Sequence, residues 1–70
     1  MKMYYCVTHF TRPRCRKVES ALKAVVLADS KEGAYSRYYK KNQQWIELYR
    51  DYKDFHVSVW EQEDGFFSFS

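Results

Sequence analysis

Four side chains in this sequence are the usual ligands and nucleophiles of protein chemistry: Cys6, His9, Cys15 and His56. Two cysteines and two histidines are the right inventory for a tetrahedral zinc site, but their spacing argues against one. Cys6 and His9 lie three apart in a stretch that reads as a strand, which sends them to opposite faces. Cys6 and Cys15 lack the short spacing of a zinc knuckle. No metal ligand and no cofactor is therefore assigned. A Cys6–Cys15 disulfide would fit across a hairpin, yet the N-terminus carries no apolar core of signal-peptide length. The expected compartment is a reducing cytoplasm.

Nucleophilic catalysis would need a Cys or Ser, a His and an orienting group. The cations Arg14, Arg16 and Lys17 beside Cys15 favour a thiolate there, but a basic loop is a poor platform for positioned chemistry. Glu61, Glu63 and Asp64 cluster at an expected hairpin tip, where solvated carboxylates are the simpler reading. Gly33 and Gly65 are the only glycines, so no glycine-rich phosphate loop exists. No constellation passes the checks for an active site, and the chain is expected not to be an enzyme.

What remains is charge and rings. The net charge of +3 conceals an asymmetry: residues 1–41 hold ten Lys/Arg against three Asp/Glu, and residues 42–70 hold two against six. Arg12, Arg14, Arg16 and Lys17 crowd into one short stretch, and Arg37, Lys40 and Lys41 form a second cluster. Such patches are electrostatic footprints for phosphate or for an acidic protein surface. Aromatic residues reach 20%, as seven Tyr, five Phe and two Trp. Large rings help a short chain fill its core, but Tyr and Trp also carry a polar atom and serve as interface anchors. Tyr35 and Tyr39 interleave with Arg37, Lys40 and Lys41, a pattern on which nucleic-acid bases could stack. Trp60 is a further exposed-ring candidate.

These residues must be positioned by one domain spanning residues 1–70. Hydrophobic types at 46% and charged types at 30% describe a globular chain, and no apolar run approaches the roughly 20 residues that cross a bilayer. No membrane partner is expected. Residues 2–10 read as a strand with Met3, Tyr5 and Val7 on one face and Tyr4, Cys6 and Phe10 on the other. Pro13 ends it.

Residues 19–29 fit two periodicities. As a strand they align Leu22, Ala24, Val26 and Ala28; as a helix, with Val18, they align Val18, Ala21, Leu22 and Val25. The β-branched Val25-Val26 pair, just before a helix start, favours the strand. Ser30 is a good N-cap, with Glu32 in the first turn. From there Ala34, Tyr35, Tyr38, Asn42, Trp45, Leu48, Tyr49 and Tyr52 recur at helical spacing, either unbroken or interrupted near residues 41–44. Residues 45–51 also fit a strand through Ile46 and Leu48, but the helical spacing covers more of them. Residues 55–62 read as a strand, and Asp64-Gly65 as a hairpin turn into a last strand over residues 66–70. The expected fold class is α+β: a small antiparallel sheet, order β-β-α-β-β along the chain, with the helix, whole or split in two, packed on one face.

The passage Val26-Leu27-Ala28-Asp29-Ser30-Lys31-Glu32-Gly33-Ala34-Tyr35 resembles the strand-to-helix junction of small phage-encoded proteins that block host defence, including some type I anti-CRISPRs. The resemblance covers the layout of most of the chain and rests on these ten residues. It implies a protein that acts by occupying a host surface, and it carries over no functional residue. The function expected is a non-catalytic inhibitor or adaptor, encoded by a phage or mobile element, that occludes a host protein or nucleoprotein complex. The expected contacts are Arg12, Arg14, Arg16, Lys17, Tyr35, Arg37, Tyr39, Lys40, Lys41 and Trp60. The alternative is a small nucleic-acid-binding module using the same surface. A monomer or a small homo-oligomer is consistent with either.

Overall fold

The computed structural model describes residues 1–62. Strand β1 (Lys2–Thr11) runs into β2 (Glu19–Ala28), helices α1 (Lys31–Lys41) and α2 (Gln43–Tyr49) follow, and β3 (Lys53–Glu61) closes the described order. The sheet is antiparallel with order β2-β1-β3, so the N-terminal strand is its centre. The class is α+β with an antiparallel sheet. The strand pattern differs from the one expected: three strands are described rather than four, and the turn and last strand read over residues 63–70 lie outside the described residues.

The pleat explains which face becomes the core. Alternation points Tyr4, Cys6, Thr8 and Phe10 of β1 one way, and all four are buried. The register carries the same face across the sheet, pairing Tyr4 with Val26, Cys6 with Ala24 and Cys6 with Val59. Ala34 and Tyr38 of α1 and Ile46 of α2 close over this side, with Leu22, Phe55 and Val57 packed against the cluster. Residues 19–28 are thus a strand, with Leu22, Ala24, Val26 and Ala28 inward.

The helix is split. Ser30 caps α1, its hydroxyl accepting from the Gly33 N–H at 3.1 Å. The chain then leaves helical geometry at Asn42 (φ −112°, ψ 19°). Asn42 donates from both its backbone N–H and its side-chain amide to the Tyr38 carbonyl, closing the first helix. The break resets the helical phase. Ile46 becomes the buried residue of α2, whereas Trp45 and Leu48 of the expected stripe stand 50% and 55% exposed. A single unbroken period would have buried them.

Two β-bulges bend the edge strands. The β1–β2 register slips between Cys6 and Thr8, and the extra β2 residue falls at Leu22, with φ 59°. The β1–β3 register slips between His9 and Thr11, and the extra β3 residue falls at Asp54, with φ 61°. Each bulge spends a left-handed residue to twist an edge strand about the straight centre, which shortens the run of regular edge open to stray pairing. At Leu27 the β2 edge is covered by Arg37, whose Nη1 donates to the Leu27 carbonyl at 3.0 Å. The sheet face away from the helices carries Met3, Tyr5, Val7, His9, Val25, Leu27, His56, Ser58 and Trp60 by register.

Candidate binding surfaces

The expected contact residues fall in three places. The first is the tip of the β1–β2 hairpin. The Cys15 N–H donates to the Arg12 carbonyl at 3.0 Å, closing a turn with Pro13 and Arg14 at its centre. Proline second and a positive φ third is the type II arrangement, and the third position is Arg14, at φ 69°. That position normally takes glycine, because a side chain there crowds the carbonyl that follows. Arg14, Arg16 and Lys17 are all exposed around this turn.

Arg12 is differently employed. Its Nε donates to Glu19 Oε2 at 2.7 Å, and its guanidinium carbon lies 5.5 Å from the centre of the Phe10 ring. Phe10 in turn stacks on Tyr49 at 4.2 Å between centroids and meets the edge of Tyr52 at 5.5 Å. Arg12 therefore roots the hairpin on the aromatic cluster beneath α2.

The second place is the flank of α1. Tyr35 is exposed there, but Tyr39 is half-buried and packed against the core, so the expectation of an exposed ring at Tyr39 is corrected. Tyr35 and Tyr39, one turn apart, hold their rings 6.0 Å apart at 55°. With Ser36, Lys40 and Gln43 they line a hollow of about 390 Å³. Tyr35 also borders a second hollow of about 330 Å³, floored by Val57 and Val59 with Lys31 and Glu32 at its mouth. Lys40 and Lys41 line a third with Gln43, Gln44 and Glu47. Arg37 belongs to this helix, but its guanidinium is turned to the Leu27 carbonyl.

Trp60 is the third place, and it is apart from the others. It pairs in register with Tyr5, so it lies on the sheet face opposite the helices. One flat ligand cannot touch Trp60 and Tyr35 together. The expectation of a single surface holding both is corrected by the register, which no local pattern specifies.

The groups weighed for chemistry are also separated. Cys6 sits in the core, where burial pushes its thiol up to about 11. Cys15 is exposed at the hairpin tip, and both thiols are free. Among the described residues no group of three or more His, Cys, Asp or Glu side chains is placed to hold a metal ion. His9 and His56, however, are direct cross-strand partners whose rings stack at 4.5 Å. Sequence reasoning missed this pair, because only the β1–β3 register brings together positions so far apart in the chain. Burial lowers the His9 pKa below its ordinary value, with added repulsion from His56 and Lys23.

Among the described residues no helix is long and apolar enough to cross a membrane. Comparison with protein-family models, curated proteins and solved structures finds no match.

Proposed function

We propose that the protein is a non-catalytic binding protein, encoded by a phage or mobile element, that inhibits a host protein or nucleoprotein complex by occupying its surface. The observation that carries this reading is the hairpin tip. Arg14 holds a left-handed backbone in the turn, Arg16 and Lys17 follow it exposed, and Arg12 anchors the base of the hairpin. The type II turn requires that left-handed geometry at Arg14 and leaves its side chain exposed to solvent. Cations of this kind speed encounter with an acidic surface, and aromatic anchors hold the complex once formed. Tyr35 and Tyr39 on α1 are the anchors proposed, with Lys40 and Lys41 beside them. The host-defence role rests on the resemblance of residues 26–35 to the anti-CRISPR group, and the compartment proposed is the host cytoplasm.

Capture from host lysate at moderate salt tests the reading. The wild-type chain is expected to retain a protein partner that a hairpin variant, Arg14→Gln/Arg16→Gln/Lys17→Gln, releases. Retention of no partner overturns it.

The Tyr35–Tyr39 pair favours one second reading, direct binding of single-stranded nucleic acid. Two rings beside Lys40 could stack bases while the lysine meets phosphate. That reading requires affinity to fall steeply with salt, with a slope that shrinks when cations are removed. Absence of a mobility shift at low salt removes it.

A further inference from the structure

We propose that the outer edge of β3 is a self-association site, on which a second copy of this chain lays its own β3 antiparallel about a two-fold axis at Val57. The site belongs to the sheet edge and does not depend on the partner proposed above.

The edge comes first. In the order β2-β1-β3, β3 is paired on one side, and among the described residues no strand lies beyond it. An edge strand turns every other N–H and C=O outward, which makes it a template for another strand. The two edges of this sheet differ. The β2 edge is interrupted by the bulge at Leu22 and met at the Leu27 carbonyl by Arg37. On β3 the bulge sits at Asp54, near the start of the strand, and residues 56–61 then pair with β1 without a slip.

The apolar row along this edge comes second. Val57 pairs with Thr8 and Val59 with Cys6, so both face the helices, and with Phe55 they pack against the core cluster. All three nevertheless remain half-exposed. Val57 and Val59 floor the hollow of about 330 Å³ that Tyr35 walls, with Lys31 and Glu32 at its mouth. The side-chain layer between sheet and α1 is thus open on the β3 side, and one more strand closes it.

The occupant is fixed by self-complementarity. A two-fold contact needs a surface that matches its own image. Antiparallel pairing centred on Val57 sets Val57 against the second copy's Val57, Phe55 against its Val59 and His56 against its Ser58. A two-fold axis perpendicular to the sheet keeps the faces, so Phe55, Val57 and Val59 all meet apolar side chains on the helix side. Charge follows the same symmetry. The mouth of the hollow carries one cation and one anion on neighbouring residues. A partner of single sign is repelled by one of them, whereas a second copy brings its Glu32 towards Lys31 and its Lys31 towards Glu32.

The test uses the full chain with Cys15→Ser, which prevents disulfide exchange between exposed thiols. Sedimentation equilibrium over a wide concentration range should show a reversible monomer–dimer equilibrium. In a mixture of isotope-labelled and unlabelled chains, filtered NOEs should connect the Phe55 ring of one copy to the Val59 methyls of the other. Val57→Lys sets two cations against each other on the axis and should weaken the dimer about tenfold or more. Lys31→Glu, at an exposed position, should weaken it about threefold or more, and Lys31→Glu/Glu32→Lys should restore it. Circular dichroism first shows each variant to be folded. A monomer at every concentration overturns the proposal, and is the result expected if residues 66–70 of the same chain take this edge. A dimer unaffected by Val57→Lys or by Lys31→Glu, or contacts between copies at another face, also overturns it.

Discussion

The hydroxyls of Thr8 and Tyr38 meet at 2.6 Å in a part of the core that water does not reach. Thr8 belongs to the central strand and Tyr38 to α1, and neither side chain is exposed at all. Each hydroxyl is the other's buried partner, so the bond fixes where the helix sits along the strand as well as on which face. Burial and the contact with Thr8 act against each other on the Tyr38 phenol, and burial, the larger, raises its pKa.

Tyr38→Phe should therefore destabilise the fold by about 1–3 kcal/mol, because it leaves the Thr8 hydroxyl buried without a partner. Thr8→Val should cost less, because the phenol keeps its contact with the Thr8 backbone. The double variant should lose less than the sum of the two, since it removes both members of the bond. Urea denaturation of the four proteins gives the coupling. Simple additivity would show that the contact does not link helix to sheet.

Cys6 and Cys15 should differ sharply towards a thiol reagent. Cys15 is exposed and should react in the folded protein, whereas Cys6 is buried with its thiol pushed up to about 11 and should react only on unfolding. The unfolded thiol titrates near 9.0. The Cys6 contribution to stability is thus complete below pH 9 and is lost as pH rises from there towards about 11. Timed labelling with an aromatic disulfide in native buffer and in denaturant checks the first point. Two fast thiols in native buffer would contradict it.

The His9 pKa is lowered in the fold, which fixes the sign of an acid effect. Above the ordinary histidine value of 6.5 the ring is neutral both folded and unfolded. As pH falls below 6.5 the unfolded chain takes up the proton first, so stability falls until the folded ring also titrates. The groups that act on it are His56 of β3 and Lys23 of β2. His9→Gln should flatten the denaturation midpoint between pH 7 and pH 5 relative to wild type. An unchanged slope would show that His9 does not carry the effect.

Arg14 offers a separation of stability from binding. Its φ of 69° costs an ordinary side chain about 1–2 kcal/mol, and glycine recovers part of this after its own entropy in the unfolded chain is counted. Arg14→Gly should raise stability by about 0.5–1 kcal/mol while weakening partner binding. Thermal denaturation reads the first effect and partner capture the second. A destabilised variant with undiminished binding would show that the turn is neither strained nor presented for contact.

The parts of this fold that follow a local period were legible in the sequence. Leu22, Ala24, Val26 and Ala28 alternate and do face the helices. Ser30 marks the start of α1, and residues 41–44 bracket the helix break. The burial of Ile46 in place of Trp45 and Leu48 was not legible, because Asn42 resets a phase that sequence spacing assumes to be continuous. Contacts set by register were hidden for a second reason. The His9–His56 stack, the Thr8–Tyr38 bond and the position of Trp60 beside Tyr5 depend on which strands pair and at what offset. Nothing nearby in the chain encodes that offset. The same holds for the cations: Arg12 and Arg37 look equivalent to their neighbours in sequence, yet one is spent on Glu19 and Phe10 and the other on the Leu27 carbonyl.

In the proposed function the exposed hairpin cations and the α1 tyrosines bind a host protein. The most direct test is quantitative capture from nuclease-treated host lysate at moderate salt. It compares the wild-type chain, Arg14→Gln/Arg16→Gln/Lys17→Gln and Tyr35→Ala/Tyr39→Ala, each first shown to be folded by circular dichroism. Wild type should retain one protein partner after nuclease treatment, and each variant should deplete it about tenfold or more, as loss of interface anchors requires. Capture that vanishes with nuclease, or a partner held equally by all three chains, would contradict it.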